Sequence, residues 1–180
     1  MHDLVISGAQ VFDGLGNAPQ SADLAVKDGR IVAIGKITDA AKERVNADGL
    51  AIAPGIVDLH THYDAQVTWD PTLSPSPSLG VTTAVMGNCG FGIAPCPPAM
   101  RETLLRNLSV VEGMELDALQ AGTRWDFQSF REFIGLVRKQ RPYINTAVFA
   151  QHSTIRSVVM GAEASTRAEA TPAEMDAMKR

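Results

Sequence analysis

The sequence predicts an α/β protein, with a small all-β unit over residues 1–54 followed by βα units on a parallel sheet over residues 55–180. Three observations carry this reading. The pairs Asp13-Gly14, Asp28-Gly29 and Asp48-Gly49 punctuate short apolar runs in the first part. The chain changes character near Pro54, and after Gly55 apolar runs alternate with helical patterns, the signature of βα units. Composition agrees: 45% hydrophobic and 20% charged residues describe a globular chain, neither a disordered tail nor a membrane bundle. No run approaches the roughly 18 apolar residues of a membrane span, so no membrane association is expected. Lys and Arg number 16 against 20 Asp and Glu, a dispersed net charge of −4 that offers no basic face to nucleic acid. The start, Met1-His2-Asp3-Leu4-Val5-Ile6, lacks the basic-then-apolar order of a signal peptide. Two cysteines make no disulfide framework, and a cytoplasmic, reducing compartment is expected.

The first unit reads as short strands. Leu4-Val5-Ile6 leads through Gly8 to Val11-Phe12, and Ala22 to Val26 alternates before Asp28-Gly29. An Asp-Gly pair supplies the two positive-φ positions of the favoured hairpin turn, so Arg30 to Ile34 is the returning strand. Asp48 to Gly55 repeats the turn-then-strand form. In the second part a strand is expected over Ile56–His62 and another over Val81–Met86, β-branched and suited to burial on both faces. A helix follows from about Pro98, with Leu104, Leu105, Leu108 and Val111 at helical spacing. Asp126 is placed to cap another, whose Phe130, Phe133, Ile134 and Val137 form a stripe before Pro142. A third strand is expected over Asn145–Gln151. Thr171-Pro172-Ala173-Glu174 has the cap, the first-position proline and the acid three residues on that open a helix.

The chemistry concentrates at the ends of these strands. On a strand His60 and His62 point to one face, about 6–7 Å apart at the backbone, and neutral imidazoles at that separation can share a metal ion such as zinc. Asp58 and Asp64 share their parity. The alternative is two histidines that satisfy backbone carbonyls. Cys89 lies in Gly87-Asn88-Cys89-Gly90-Phe91-Gly92, directly after the second strand, where an accessible thiol is a good zinc ligand; standing alone it reads more readily as a small buried residue in a turn, and the two histidines at the end of the adjacent strand favour the ligand reading. Such carboxyl ends of parallel strands are where α/β folds build sites. Cys96, among Pro95, Pro97 and Pro98, lacks the spacing of a metal clip and reads as structural. His152-Ser153-Thr154-Ile155-Arg156 has two readings. His152 and Arg156 offer a substrate-binding edge, with a guanidinium able to grip a carboxylate; or Ser153 or Thr154 caps a helix running through Met160.

The run Ala53-Pro54-Gly55-Ile56-Val57-Asp58-Leu59-His60-Thr61-His62-Tyr63-Asp64 resembles the first metal motif of the amidohydrolase superfamily. Gly80 to Gly92, Trp69 to Pro75 and Gln151 to Gly161 are similar to its N-acyl-D-amino-acid deacylase (D-aminoacylase) branch, which the Cys89 motif marks out. The resemblance implies a (β/α)8 TIM-type barrel hydrolase with an appended β-sandwich. It implies Zn2+, one ion or two, with Cys89 a ligand of the main site and His60 and His62 lining an adjacent one, and a small N-acyl amino acid as partner. Activated water would attack the amide carbonyl while a carboxylate moves the proton. The catalytic aspartate and two more zinc-binding histidines belong to later strands, so the aspartate is expected beyond residue 180; only His2, His60, His62 and His152 occur here. Residues 55–180 suffice for about three βα units, whereas a full barrel needs on the order of 250 residues. The expectation is therefore an incomplete barrel, its first three βα units, preceded by part of a small β-sandwich, inactive alone. A hydantoinase-like enzyme acting on cyclic amides is the alternative, against which Gly87-Asn88-Cys89-Gly90 argues; a metal-binding module without catalysis is another.

Overall fold

A computed structural model describes residues 1–179 and divides into two compact units, Met1–Pro54 and Gly55–Arg180. In the first unit, β1 (His2–Val11), β2 (Gln20–Lys27), β3 (Arg30–Gly35) and β4 (Ala41–Asn46) lie in the order β3-β2-β1-β4, and β5 (Ala51–Ile52) also pairs with β1. The β1-β2 and β2-β3 pairs are antiparallel, whereas β4 and β5 run parallel to β1. Asp28 and Gly29, at φ 50° and 70°, turn the expected hairpin between β2 and β3.

Two features differ from the expectation. The apolar runs on either side of Gly8 form one strand rather than two short ones: β1 is continuous, with a bulge between Ile6 and Ala9 and Gly8 at φ 79°. The extra residue switches side-chain parity. Val5 packs with Ala25 and Ile37, whereas Ile6, Ala9 and Val11 share a second cluster with Ala47. The second difference is β4, whose Ala41-Lys42-Glu43-Arg44-Val45-Asn46 carries no apolar alternation. It is an edge strand held by backbone pairing to β1, and its charges suit an edge exposed to water. Asp23 ties the unit together, accepting hydrogen bonds from Gly8 N at the bulge and from Ile37 N after β3, both at 3.0 Å. Those two N–H groups hold its carboxyl below the usual carboxylate value.

In the second unit β6 (Ile56–Thr61), β7 (Val81–Met86) and β8 (Asn145–Val148) form a parallel sheet in that order. Around it lie α1 (Tyr63–Gln66), α2 (Arg101–Glu112), α3 (Leu116–Gly122), α4 (Phe130–Gln140), α5 (His152–Met160) and α6 (Pro172–Met178). A 3-10 turn at Pro98–Met100 leads into α2, which buries Leu104, Leu105 and Leu108 but leaves Val111 exposed. α4 is capped by Ser129 rather than Asp126: the Ser129 hydroxyl accepts from Glu132 N while the Glu132 carboxylate accepts from Ser129 N. Thr171 and Glu174 form the expected capping box at α6. The seven residues of α3, with Leu119 buried, were not expected as a helix. On β7, Val81, Ala84, Val85 and Met86 are buried but Thr82 is exposed, so burial on both faces holds only in part. Phe133, Leu104, Leu108 and Ile93 anchor the main core. Among the described residues no helix is long and apolar enough to cross a membrane.

Because the folded pKa of Asp23 lies below its ordinary 3.8, its contribution to stability is present above that pH and is lost as pH falls through the folded value. Asp23→Asn will lower the melting temperature at pH 7 and flatten its decline between about pH 5 and pH 2. Calorimetric scans of both proteins with parallel pH slopes would contradict the role given to Asp23.

Candidate metal centre

Parallel neighbours β6 and β7 end on the same side of the sheet, and the segments that follow them carry the expected donors. β6 stops at Thr61, one residue short of the expected strand; the buried Thr61 hydroxyl donates to Val85 O (3.0 Å) and fixes that end to β7. His62 has left the strand and stands at the N-cap of α1. The two histidines therefore do not owe their approach to strand alternation, yet their ring centroids are 5.4 Å apart. Past β7, Gly87 and Gly90 take φ of 81° and 88° and turn the loop so that Cys89 faces His62. The Cys89 Sγ lies 3.3 Å from His62 Nε2, and Phe91 N donates to the sulfur (3.4 Å). Asn88 donates to Leu59 O (2.9 Å), tying the loop to β6. One donor atom from each of His60, His62 and Cys89 lies within 4.8 Å of the other two.

The third motif forms the expected helix through Met160, but with a different residue at its start. Gln151 has left the expected strand to become the N-cap residue of α5, and His152 is the first helical residue, so neither Ser153 nor Thr154 caps. These residues grip the Cys89 loop instead. Ser153 N donates to Gly90 O (2.9 Å), the buried Thr154 hydroxyl donates to Gly92 O (3.0 Å), and Gln151 Oε1 accepts from Ala94 N (3.4 Å). The Gln151 side chain, wholly buried, fills the hollow left by two glycines: a Cβ on Gly92 would overlap its carboxamide, and one on Gly87 would lie 2.7 Å from its Cγ. The two residues expected at a substrate edge part company. His152 is exposed, its Cβ 4.0 Å from where a Cβ on Gly90 would lie. Arg156 donates to the backbone carbonyls of Ala164, Arg167 and Ala168, so its guanidinium is committed to the segment after α5.

Two carboxylates also lie close to His62: Glu112, which no sequence pattern marks, and Asp64, which shares the parity of the histidines in the sequence. Glu112, the last residue of α2, brings Oε1 to 2.9 Å from His62 Nε2. Asp64 lies on α1 rather than on the strand face, wholly buried; it accepts from Ile93 N (3.0 Å), and burial pushes its carboxyl up to about 7. Asp58 accepts from His60 N (3.2 Å). The His62 imidazole is 8% exposed, and burial lowers its pKa against the opposing pull of Glu112. It is thus a neutral ring, and its buried Nδ1 has no hydrogen-bond partner. A depression of about 280 Å³ opens beside it, lined by Asp58, His60, Tyr63, Ser76 and Met114 among others. Two imidazoles and a thiol, with one donor atom from each drawn close together, make a donor set that fits zinc. Cys96 is apart from this: it lies in the core, and burial pushes its thiol up to about 11.

Residues 43–180 match the model of the amidohydrolase family. The chain belongs to the amidohydrolase family. Among curated proteins it is similar to D-aminoacylase of Alcaligenes xylosoxydans xylosoxydans, 37% identical over 88% of this chain and 31% of that protein. N-acyl-D-aspartate deacylase of the same organism is 36% identical over 98% of this chain and 33% of that protein. The chain thus spans about a third of the length of the curated relatives it matches. Among solved structures, a D-aminoacylase described as having a binuclear metal center superposes with a TM-score of 0.80 at 34% identity, over 99% of this chain and 35% of that one. N-acyl-D-glutamate deacylase of Bordetella bronchiseptica, solved with zinc and a phosphonate inhibitor, gives 0.77 at 32% identity, over 99% and 35%.

For this amidohydrolase chain the geometry makes two predictions. In the native protein at pH 8, iodoacetamide will alkylate Cys89 at least about tenfold faster than the buried, high-pKa Cys96, and added zinc will protect Cys89; mass spectrometry of tryptic peptides reads both, and equal rates would contradict the burial of Cys96. Gly87→Ala combines a left-handed φ with the contact on Gln151, and it will cost about 1–3 kcal/mol in urea denaturation. An unchanged midpoint would show that the loop does not rest on Gln151.

Proposed function

We propose that this chain is part of a zinc-dependent N-acyl-D-amino-acid deacylase, in which His60, His62 and Cys89 hold one or two Zn2+ ions. The observation that carries the reading is the convergence of two imidazoles and a thiol where adjacent parallel strands end, in a chain similar along its length to proteins named for this activity. In the same reading residues 55–180 are the first three βα units of a (β/α)8 barrel, supported by the parallel order β6-β7-β8, and residues 1–54 contribute strands to a β-sandwich. What a bound zinc ion supplies in such a site is Lewis acidity, toward an amide carbonyl and toward water. The chain's own residues prepare for it. Burial keeps His62 neutral and able to donate a lone pair, Phe91 N–H steadies the Cys89 sulfur, and the Asn88 and Ser153 hydrogen bonds hold the loop in place. The depression beside His60 takes the scissile amide of a small N-acyl amino acid, and His152, exposed beside Gly90 and free of a backbone role, is the remaining candidate for a substrate contact. Arg156 keeps its structural role. Neither Asp58 nor Asp64 is assigned the proton transfer, since one accepts from the His60 backbone and the other is buried on Ile93 N.

The full-length protein will release free amino acid from N-acyl-D-amino acids and leave the L isomers intact; a chelator will stop the reaction and zinc will restore it. Cys89→Ala and His62→Ala will each lower the rate by at least about 10–100-fold, with loss of bound zinc. Hydrolysis that survives chelation, or Cys89→Ala with unchanged rate and zinc content, would overturn the assignment. Stoichiometric zinc without hydrolysis would point to a metal-binding module instead.

A further inference from the structure

We propose that Glu112 is a carboxylate donor to the ion held by His60, His62 and Cys89, an inference that rests on the metal reading above. His62 Nε2 has two close polar neighbours, Cys89 Sγ at 3.3 Å and Glu112 Oε1 at 2.9 Å. Around a tetrahedral zinc ion, with metal–donor distances of about 2.0–2.3 Å, neighbouring donor atoms stand roughly 3.3–3.6 Å apart. The sulfur is at that separation from the imidazole nitrogen, and the carboxylate oxygen is within about half an ångström of it. Each is therefore spaced from the imidazole nitrogen much as one donor is from the next around such an ion. The carboxylate is delivered by a fixed turn rather than a swinging side chain on an open surface. α2 ends at Glu112, Gly113 takes φ 65°, and the Ser109 hydroxyl donates to Met114 O (2.6 Å), while Met114 itself lines the depression beside His60.

The charge balance points the same way. Of the donors this chain supplies, two neutral imidazoles and one thiolate carry a single negative charge toward a divalent ion, and a carboxylate adds a second while supplying an oxygen ligand of the kind zinc accepts. Zinc also expands to five donors, so Glu112 does not bar water or substrate from the ion. The competing interpretation is that Glu112 merely hydrogen-bonds His62 in the metal-free protein. The two differ in sign. A mere partner competes with the metal for Nε2, so its removal tightens metal binding; a donor that is removed weakens it.

Zinc affinity, measured in the purified full-length protein by competition with a chromophoric chelator, separates them. Glu112→Gln and Glu112→Ala will weaken zinc binding by roughly 10–100-fold, Glu112→Asp by less, with circular dichroism and melting temperature near wild type. In the cobalt-substituted protein, the sulfur-to-cobalt band from Cys89 will persist in Glu112→Gln while the ligand-field bands change. Infrared difference spectra of the unmutated protein will show a carboxylate stretch shifting on zinc addition, a readout independent of how any variant folds. Unchanged or tighter zinc binding in Glu112→Gln and Glu112→Ala, or no carboxylate shift in the unmutated protein, overturns the proposal while leaving the His60, His62 and Cys89 assignment standing. A wild-type protein that binds no stoichiometric metal, or Cys89→Ala and His62→Ala with unchanged affinity, overturns the metal reading and Glu112 with it.

Discussion

His60 at the end of β6 and His62 at the start of α1 are set side by side by the local chain, but Cys89 reaches them only because the loop after β7 folds back on the segment that opens α5. The buried side chain of Gln151 governs that return. It occupies the space that side chains at Gly87 and Gly92 would need, and one carboxamide oxygen accepts from Ala94 N while Ser153 and Thr154 hold the carbonyls of Gly90 and Gly92. A loop rich in glycine loses much conformational freedom on ordering, so it needs several partners to be held in one shape. Here they come from a segment about sixty residues further along the chain. The donor set is thus a product of tertiary packing between the ends of β7 and β8, not of the Cys89 loop alone.

That dependence explains what was legible in the sequence. Short-range signals survived: the Asp28-Gly29 turn, the Thr171–Glu174 capping box and β7 were readable because a few neighbouring residues determine them. Strand ends were less so. The expected strands run on to His62 and Gln151, but both residues stand at the N-cap positions of helices instead, and nothing in the pattern shows where backbone pairing stops. β4 was invisible for the opposite reason: it is stabilised by main-chain pairing, which any sequence can supply. His60, His62 and Cys89 were legible as donor types at strand ends, whereas Glu112 was not, since one acid at a helix end says nothing about which imidazole it meets. His152 to Arg156 looked chemical because it is polar, yet most of its polar atoms serve the backbone.

The buried polar groups near the donors share one electrostatic logic. Taking His62 and Asp64 out of water favours their uncharged forms, lowering the one pKa and raising the other. A neutral imidazole is the state that offers a lone pair, and Asp64, raised to about 7, is only partly ionised at neutral pH. Asp64 instead spends an oxygen on Ile93 N, in the same stretch that Gln151 fixes through Ala94 N. Burial around the site therefore serves two ends at once, setting the state of the donors and tying the loop to α1.

The connection between β7 and β8 shows where the remaining carboxylate comes from. A crossover between parallel strands needs about a dozen residues, usually one helix. From Met86 to Asn145 this chain has three, and α4, with its apolar face on the core, suffices for the crossover. α2 and α3 are an addition to that minimum. α2 buries Leu104, Leu105 and Leu108 in the shared core, which fixes its axis; its last residue, Glu112, then meets His62, and Met114 just past its end lines the depression beside His60. An insertion that contributed only stability would bury its apolar stripe and leave its end in solvent. This one ends against an imidazole, so the extra length of the connection is spent on the site as well as on the core.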